Sequence, residues 1–482
     1  MIVRIGTPPR TRRDRRSTIA VALLASAALL ASGCTRAADE VETGAPPTTA
    51  ANGTTPPADG APAAGDFGDL EGVCGPGDAS GATAQGVTDD AIQVGTIADP
   101  GFVGRAGLNQ EIFDASEVFT KWCNDAGGIN GRKIELVERD AKVTEYKQRI
   151  TDACLKDFML VGSGAVFDGA GQEERLSCML PEIPAFQVAP EARDSDLTVR
   201  PLPTALNELP AGAMQFVEAN FPGSTERVGF VTGNVGSLVF VDAQLQEGAE
   251  QLGWTSVYKS QYNSLGEASW TPLAQALSTA DVKGLVYTGE PENLAKLLQA
   301  MVEIGYEPEW VLGGTNMIDQ SFIDIGGDAV KNVFAVTGVV PAFLADQNPA
   351  TQQYLDLFAE YVPEGKAEAL LGYNSFSAWL LFATAAGECG SDVTRKCVLE
   401  AAQNITDWTG GGLHSASNPS QNQFPRCGMV IEINADGFRI PDDFEPTDGL
   451  FACSDAGVLI LKNDYGTGAT LESVGKSLDD LE

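Results

Sequence analysis

At 482 residues the chain is long enough for two or three domains, and a 43% hydrophobic content lets most of it bury a core. Its formal net charge of −35 excludes a general nucleic-acid binder, which needs a basic footprint. A single histidine, His414, excludes multi-histidine metal centres and most histidine-dependent triads, so no metal or cofactor is expected.

The first 33 residues carry six arginines against one aspartate. Residues 18–31 follow the basic run as a 14-residue apolar stretch, short of the ~20 residues that span a bilayer. This pattern predicts a secretory signal peptide over residues 1–33. It ends Leu30-Ala31-Ser32-Gly33-Cys34, which resembles a bacterial lipobox, with Ala31 where that motif usually has Leu. The resemblance implies cleavage before Cys34, a lipid on its thiol, and a place on the outer face of the cell membrane. Ordinary cleavage with Cys34 as a spare thiol is the alternative. Residues 34–70 are rich in Ala, Pro, Thr, Gly and acid, with almost no large apolar side chain. Such a stretch is expected to be a disordered tether, because it buries too little to offset chain entropy.

Eight cysteines remain beyond Cys34, an even number in an exported chain. That points to four disulfides rather than catalytic thiols. Closeness in sequence pairs Cys389 with Cys397, and Cys427 with Cys453 is the natural C-terminal pair. Cys154 and Cys178 fall on two successive helices of one sheet face. Cys74 then ties the N-terminal segment to Cys123 on the first helix.

The folded body is expected from Gly86. Strands at 92–97, 134–139, 159–161 and 185–188 alternate with helices at 108–124, 146–156 and 171–178. Residues 124–140, NDAGGINGRKIELVERD, stop the first helix at Gly127-Gly128 and turn again at Asn130-Gly131 into the second strand. After Pro203 the pattern restarts, with strands at 228–232, 257–262, 284–287, 310–312 and 333–336. Helices at 239–252, 272–279 and 292–304 lie between them. Helices at 349–361 and 375–386 follow, then a hairpin of 429–433 with 438–440. Such β-α-β alternation implies parallel sheets, whose ligands sit at the carboxyl ends of the strands.

Gly86–Gly95 (GVTDDAIQVG), the Gly-Gly-Ile-Asn-Gly turn, the 159–162 strand, Ile183-Pro184 and the restart at 227–232 stand in a telling order and spacing. They resemble the branched-chain amino-acid (Leu/Ile/Val) type I solute-binding proteins of ABC importers, over about residues 86–457. The resemblance implies an α/β fold of two Rossmann-like lobes with parallel sheets, joined by three crossover hinge segments near 202–207, 336–341 and 425–429. The N-terminal lobe is then 71–205 with 340–426, the C-terminal lobe 206–339 with 427–465, and 466–482 a tail.

The family site lies between the lobes. Carried over by position, its first loop offers Phe102 as an apolar wall. The loop after the third strand offers Val166, Phe167 and Asp168, without the hydroxyls the family presents to a ligand carboxylate. The next offers Ala189 and Glu191, where the family has glycine. The second lobe offers Asn234, Ser237, Thr288, Glu290, Thr315 and Asn316, the last two where amino-acid binders often place an acid. Asp168, Glu191 and Glu290 suit a cation or a hydroxyl-rich ligand. The implied function is a monomeric, lipid-anchored, extracytoplasmic substrate-binding protein, not an enzyme, that takes a small polar solute (an amino acid or amide-like molecule) to ABC permease subunits. A sensory lipoprotein without transport, and an exported hydrolase using Asp168 and Glu290 as paired acids, are the alternatives.

Overall fold

The computed structural model describes residues 64–482. The expected signal peptide, Cys34 and the tether as far as residue 63 lie outside the described residues. The described residues belong to one unit, built as two lobes.

Lobe 1 begins with β1 (Ala91–Ala98), α1 (Gln110–Ala126), β2 (Lys133–Asp140), α2 (Tyr146–Cys154), β3 (Leu160–Val161), α3 (Gln172–Ser177), β4 (Glu182–Ile183) and α4 (Pro190–Arg193). Its four strands are parallel, in the order β2-β1-β3-β4. The turn between α1 and β2 is set by local chemistry. Gly127 and Gly128 take φ of 124° and 85°, and a Cβ on Gly128 would lie 2.1 Å from the Arg132 carbonyl oxygen. Asn124 then clips the helix end to the new strand: its Oδ1 accepts from Ile134 N at 2.7 Å and its Nδ2 donates to Ile134 O at 2.9 Å.

Lobe 2 contains β5 (Glu208–Pro210), α5 (Gly212–Asn220), β6 (Val228–Gly233), α6 (Gly236–Gln251), β7 (Ser256–Tyr262), α7 (Thr271–Thr279), β8 (Gly284–Thr288), α8 (Pro291–Glu303), β9 (Trp310–Leu312), α9 (Gln320–Gly326) and β10 (Val333–Thr337). The chain returns to lobe 1 for α10 (Pro349–Tyr361), α11 (Leu370–Cys389) and α12 (Arg395–Asn404). It crosses back for β11 (Cys427–Asn434), β12 (Gly437–Arg439), β13 (Ala452–Cys453) and β14 (Val458–Ile460). The large sheet runs β12-β11-β10-β9-β8-β6-β7, parallel except at β11 and β12, while β14 pairs with β5.

α11 is buried nearly all round, as a helix inside a core must be. Trp379 stacks on Phe119 at 5.7 Å and donates from Nε1 to Ser116 Oγ at 2.8 Å. The disulfides join Cys74–Cys123, Cys154–Cys178, Cys389–Cys397 and Cys427–Cys453. Three of them staple lobe 1, whose sheet has two strands of only two residues.

Three expectations need correction. The tether does not run to Leu70: Phe67 is fully buried, 4.9 Å from the Phe376 ring, and Gly68 N donates to Gln353 Oε1 at 2.9 Å. A single aromatic in a Pro- and Ala-rich run vanishes in the average composition, yet it fills a core pocket. The fourth strand is Glu182–Ile183 rather than 185–188, because Pro184 lacks the N–H that would continue the ladder. The tail is not free either. After β14 the chain makes a fourth passage, to lobe 1, where Leu471 and Leu481 enter the core. There Ala469 N donates to Glu191 O, and Leu471 N to Asp196 Oδ2 at 2.7 Å.

Candidate functional site

The strand ends of the two sheets face each other across a cleft of about 1900 Å³. Lobe 1 lines it with Phe102, Leu108, Val166, Phe167, Phe186 and Val188; lobe 2 answers with Val235, Leu238, Val241, Leu245, Leu265 and Leu312. Leu202, Val336 and Phe424 close it on the hinge side. The walls are therefore largely apolar.

Two buried carboxylates shape the lobe 1 wall. Asp99, at the end of β1, accepts from Val143 N at 2.6 Å and Val166 N at 2.8 Å, so it ties the loops after β2 and β3 to β1. Asp168 accepts from Val188 N at 2.7 Å and Ala189 N at 2.9 Å, fixing the loop after β4. Burial raises both carboxyls above the usual carboxylate range, Asp168 to about 7, against the lowering pull of those N–H donors.

The carried-over residues divide. Phe102, Val166, Phe167, Asn234, Ser237, Thr288, Glu290, Thr315 and Asn316 line the cleft. Asp168 does not: it is 2% exposed and turned into lobe 1. Ala189 and Glu191 also lie off the cleft wall; Glu191 is exposed on the outer side of α4. Sequence position carried these three to the right loop but not to its inner face. Asp168 and Glu290 are thus not a facing acid pair.

Glu290 reaches the cleft but is already engaged. Arg105, from the loop after β1, bonds Glu290 with Nη1 and Glu292 Oε1 with Nη2 at 2.8 Å. These contacts join lobe 1 to the N-terminus of α8 in lobe 2, across the cleft mouth. Both partners are about one-third exposed, so each pair contributes only ~0.2–1 kcal/mol. Arg105→Ala is expected to change unfolding stability by less than ~1 kcal/mol. It is expected to enlarge the radius of gyration in small-angle scattering at low salt, with the difference from wild type vanishing near ~1 M salt. A large loss of stability instead would make Arg105 a folding residue rather than a latch.

In lobe 2, the Tyr262 and Tyr287 hydroxyls meet at 2.6 Å behind the cleft wall, and Tyr287 Oη donates to Glu290 O at 3.1 Å. Asn316 Nδ2 donates to Gly289 O at 2.9 Å. Gly289, with φ 157°, admits the pair: a Cβ there would lie 1.7 Å from Tyr262 Oη. Thr288 Oγ1 is buried without a partner at the same wall.

Sequence reasoning missed Asp99, Arg105 and Arg193. The signal for Asp99 was a charge directly after an apolar strand. Arg193, 6% exposed and on the hinge side of the cleft, stands two residues beyond Glu191. Arg105 carried no local signal, since its partners are 185 and 187 residues away.

No described helix is long and apolar enough to cross a membrane. Residues 92–438 match the family model described as "Periplasmic binding protein". No curated protein matches the chain in sequence. Among solved structures it is similar to a fatty acid ABC transporter substrate-binding protein from Thermomonospora curvata. The two are 18% identical with a TM-score of 0.65, over 80% of this chain and 97% of that one. It is similar to a leucine-binding protein from Thermotoga maritima at 16% identity and a TM-score of 0.59, over 73% of this chain and 99% of that one. A branched-chain amino acid transporter substrate-binding protein from Streptococcus pneumoniae, in complex with isoleucine, gives 14% and 0.58, over 73% and 100%. At these identities the likeness is one of fold.

Proposed function

The chain belongs to the periplasmic binding protein family, whose members bind solutes without chemistry on them, and on that premise we propose that it is the extracytoplasmic substrate-binding subunit of an ABC importer for an elongated, largely apolar solute. The observation that carries this reading is the cleft: about 1900 Å³, walled by apolar side chains from both lobes, with its mouth already bridged by Arg105. Ligand pockets commonly enclose ~300–1,000 Å³. An amino acid would leave most of this one empty.

The small polar solute expected from sequence fits these walls poorly. An ammonium needs an anion, and an unpaired buried charge costs several kcal/mol. On the cleft, Glu290 and Glu292 are taken by Arg105, Glu208 by Arg426 and Glu111 by Lys366; Asp319 accepts from Ser321 N, Glu368, Asp443 and Glu445 are exposed to solvent, and Asp168 faces away. An acyl chain needs no such partner and gains about 0.8 kcal/mol per buried CH₂. The name of the Thermomonospora curvata protein agrees with this chemistry. Ligand favours closure by touching both lobes at once, which the open state does not allow. The closed form would be presented, as a monomer lipidated at Cys34, to permease subunits in the membrane.

A thermal-shift screen of the purified protein tests this, since bound ligand stabilises by ~2.7 kcal/mol at 100-fold over Kd. Long-chain acids and alcohols are expected to raise the unfolding midpoint, and the twenty amino acids to leave it unchanged. A shift with leucine or isoleucine and none with any acyl compound would return the protein to amino-acid binding.

A further inference from the structure

We propose that Arg193 is the anchor for an anionic head group, a carboxylate at the end of the apolar solute. The inference rests on the acyl-chain reading above and adds the chemistry of the ligand's other end.

Arg193 ends α4 and is 6% exposed, yet it lines the cleft where Leu202, Thr204 and Phe424 form the hinge-side wall. Its Nε donates to Thr204 O at 2.9 Å and its Nη1 to Gln244 Oε1 at 3.1 Å. Nη2 has no hydrogen-bond partner among the described residues. No described carboxylate lies within 4.0 Å of the guanidinium. Asp168 supports its charge electrostatically but already accepts two backbone N–H groups. Phe240 and Phe424 carry the flat faces, with the guanidinium carbon 5.4 and 6.0 Å from their ring centres.

The other cations set this one apart. Arg105 bonds Glu290 and Glu292, Arg426 bonds Glu208 at 2.9 Å, and Lys366 lies 3.7 Å from Glu111. Lys296, also on the cleft, is exposed to solvent rather than buried. Arg175, buried inside lobe 1, bonds six separate groups. A buried guanidinium with an unbonded edge on the cavity can take one more acceptor, and its fork suits a carboxylate. Burial lowers its pKa to about 10, so it stays charged at neutral pH. The geometry also orients the ligand: head at the hinge, chain running outward past Val188 and Leu238 towards Phe102 and Leu265 at the mouth.

The test uses three probes with one chain: dodecanoate, dodecanol and methyl dodecanoate, titrated into the whole protein below their aggregation limits. Wild type is expected to bind dodecanoate about tenfold or more tighter than either neutral probe, as a charge-assisted bond in a dry site implies. Arg193→Gln is expected to bring dodecanoate and dodecanol within about twofold while dodecanol affinity holds; Arg193→Lys is expected to restore part of the preference. The wild-type comparison needs no variant, so poor folding of Arg193→Gln leaves the idea testable. Equal binding of all three probes by wild type, or a preference that survives in Arg193→Gln, overturns the anchor and leaves the acyl-chain reading standing. If wild type binds none of the three, both readings fall.

Discussion

Phe67→Ala is expected to destabilise lobe 1 by about 3–5 kcal/mol, the usual loss for removing a fully buried phenylalanine. The ring is 0% exposed and packs between Phe376, at 4.9 Å, and Trp122, at 6.1 Å. Its backbone exchanges two hydrogen bonds with Leu70, and Cys74 N donates to Gly65 O just beyond it. The Cys74–Cys123 bridge keeps the segment near its site, so the pocket is left unfilled rather than collapsed around a departing strand. Urea unfolding followed by hydrogen exchange in α11 gives the number. A loss under ~1 kcal/mol would mean that the pocket closes over the gap and that the folded body starts after the disulfide.

Deleting residues 467–482 ranks next. Leu471 and Leu481 are each 5% exposed in the lobe 1 core. At ~1.5–3 kcal/mol for each buried leucine, taken as an upper estimate, the expected loss is about 3 kcal/mol. The hydrogen bonds to Glu191 O and Asp196 go with them. The loss should fall on lobe 1, so exchange in β1 and α11 accelerates while β6 and β8 keep their protection. Uniform acceleration in both lobes would mean that the segment supports the hinge instead.

Where the chain's own neighbours decide a feature, the sequence announces it. The end of α1 and the start of β2 follow from Gly127, Gly128 and the alternation at Ile134 and Leu136. Cys154 and Cys178 follow from two helices on one face of the sheet, and Cys389–Cys397 from closeness in sequence. Features made by distant partners are silent. Arg105 and Glu290 look like two surface charges until the lobes meet. Asp168 sits in the loop after β3, and spacing does not say whether its side chain turns inward. The apolar cleft is the hardest case: Val188, Leu238 and Leu312 read as ordinary core residues, because nothing local distinguishes a wall that faces a cavity from one that faces a helix. Leu471 and Leu481 share a polar run with Val474 and Leu478, and since Leu478 is exposed, their spacing alone does not mark which are buried.

The fourth passage of the chain also constrains the order in which the molecule assembles. Lobe 1 draws on Phe67 and the strands that follow it, on α10 to α12, and then on Leu471 and Leu481 after β14. Its core is incomplete until Leu471 and Leu481 are in place. The large sheet of lobe 2 is continuous in sequence from β6 to β10, and it needs only β11, β12 and β13 to finish. The lobe that emerges first is therefore the one completed last. The early disulfides Cys74–Cys123 and Cys154–Cys178 can form while it waits, holding its N-terminal half together before the closing segment arrives.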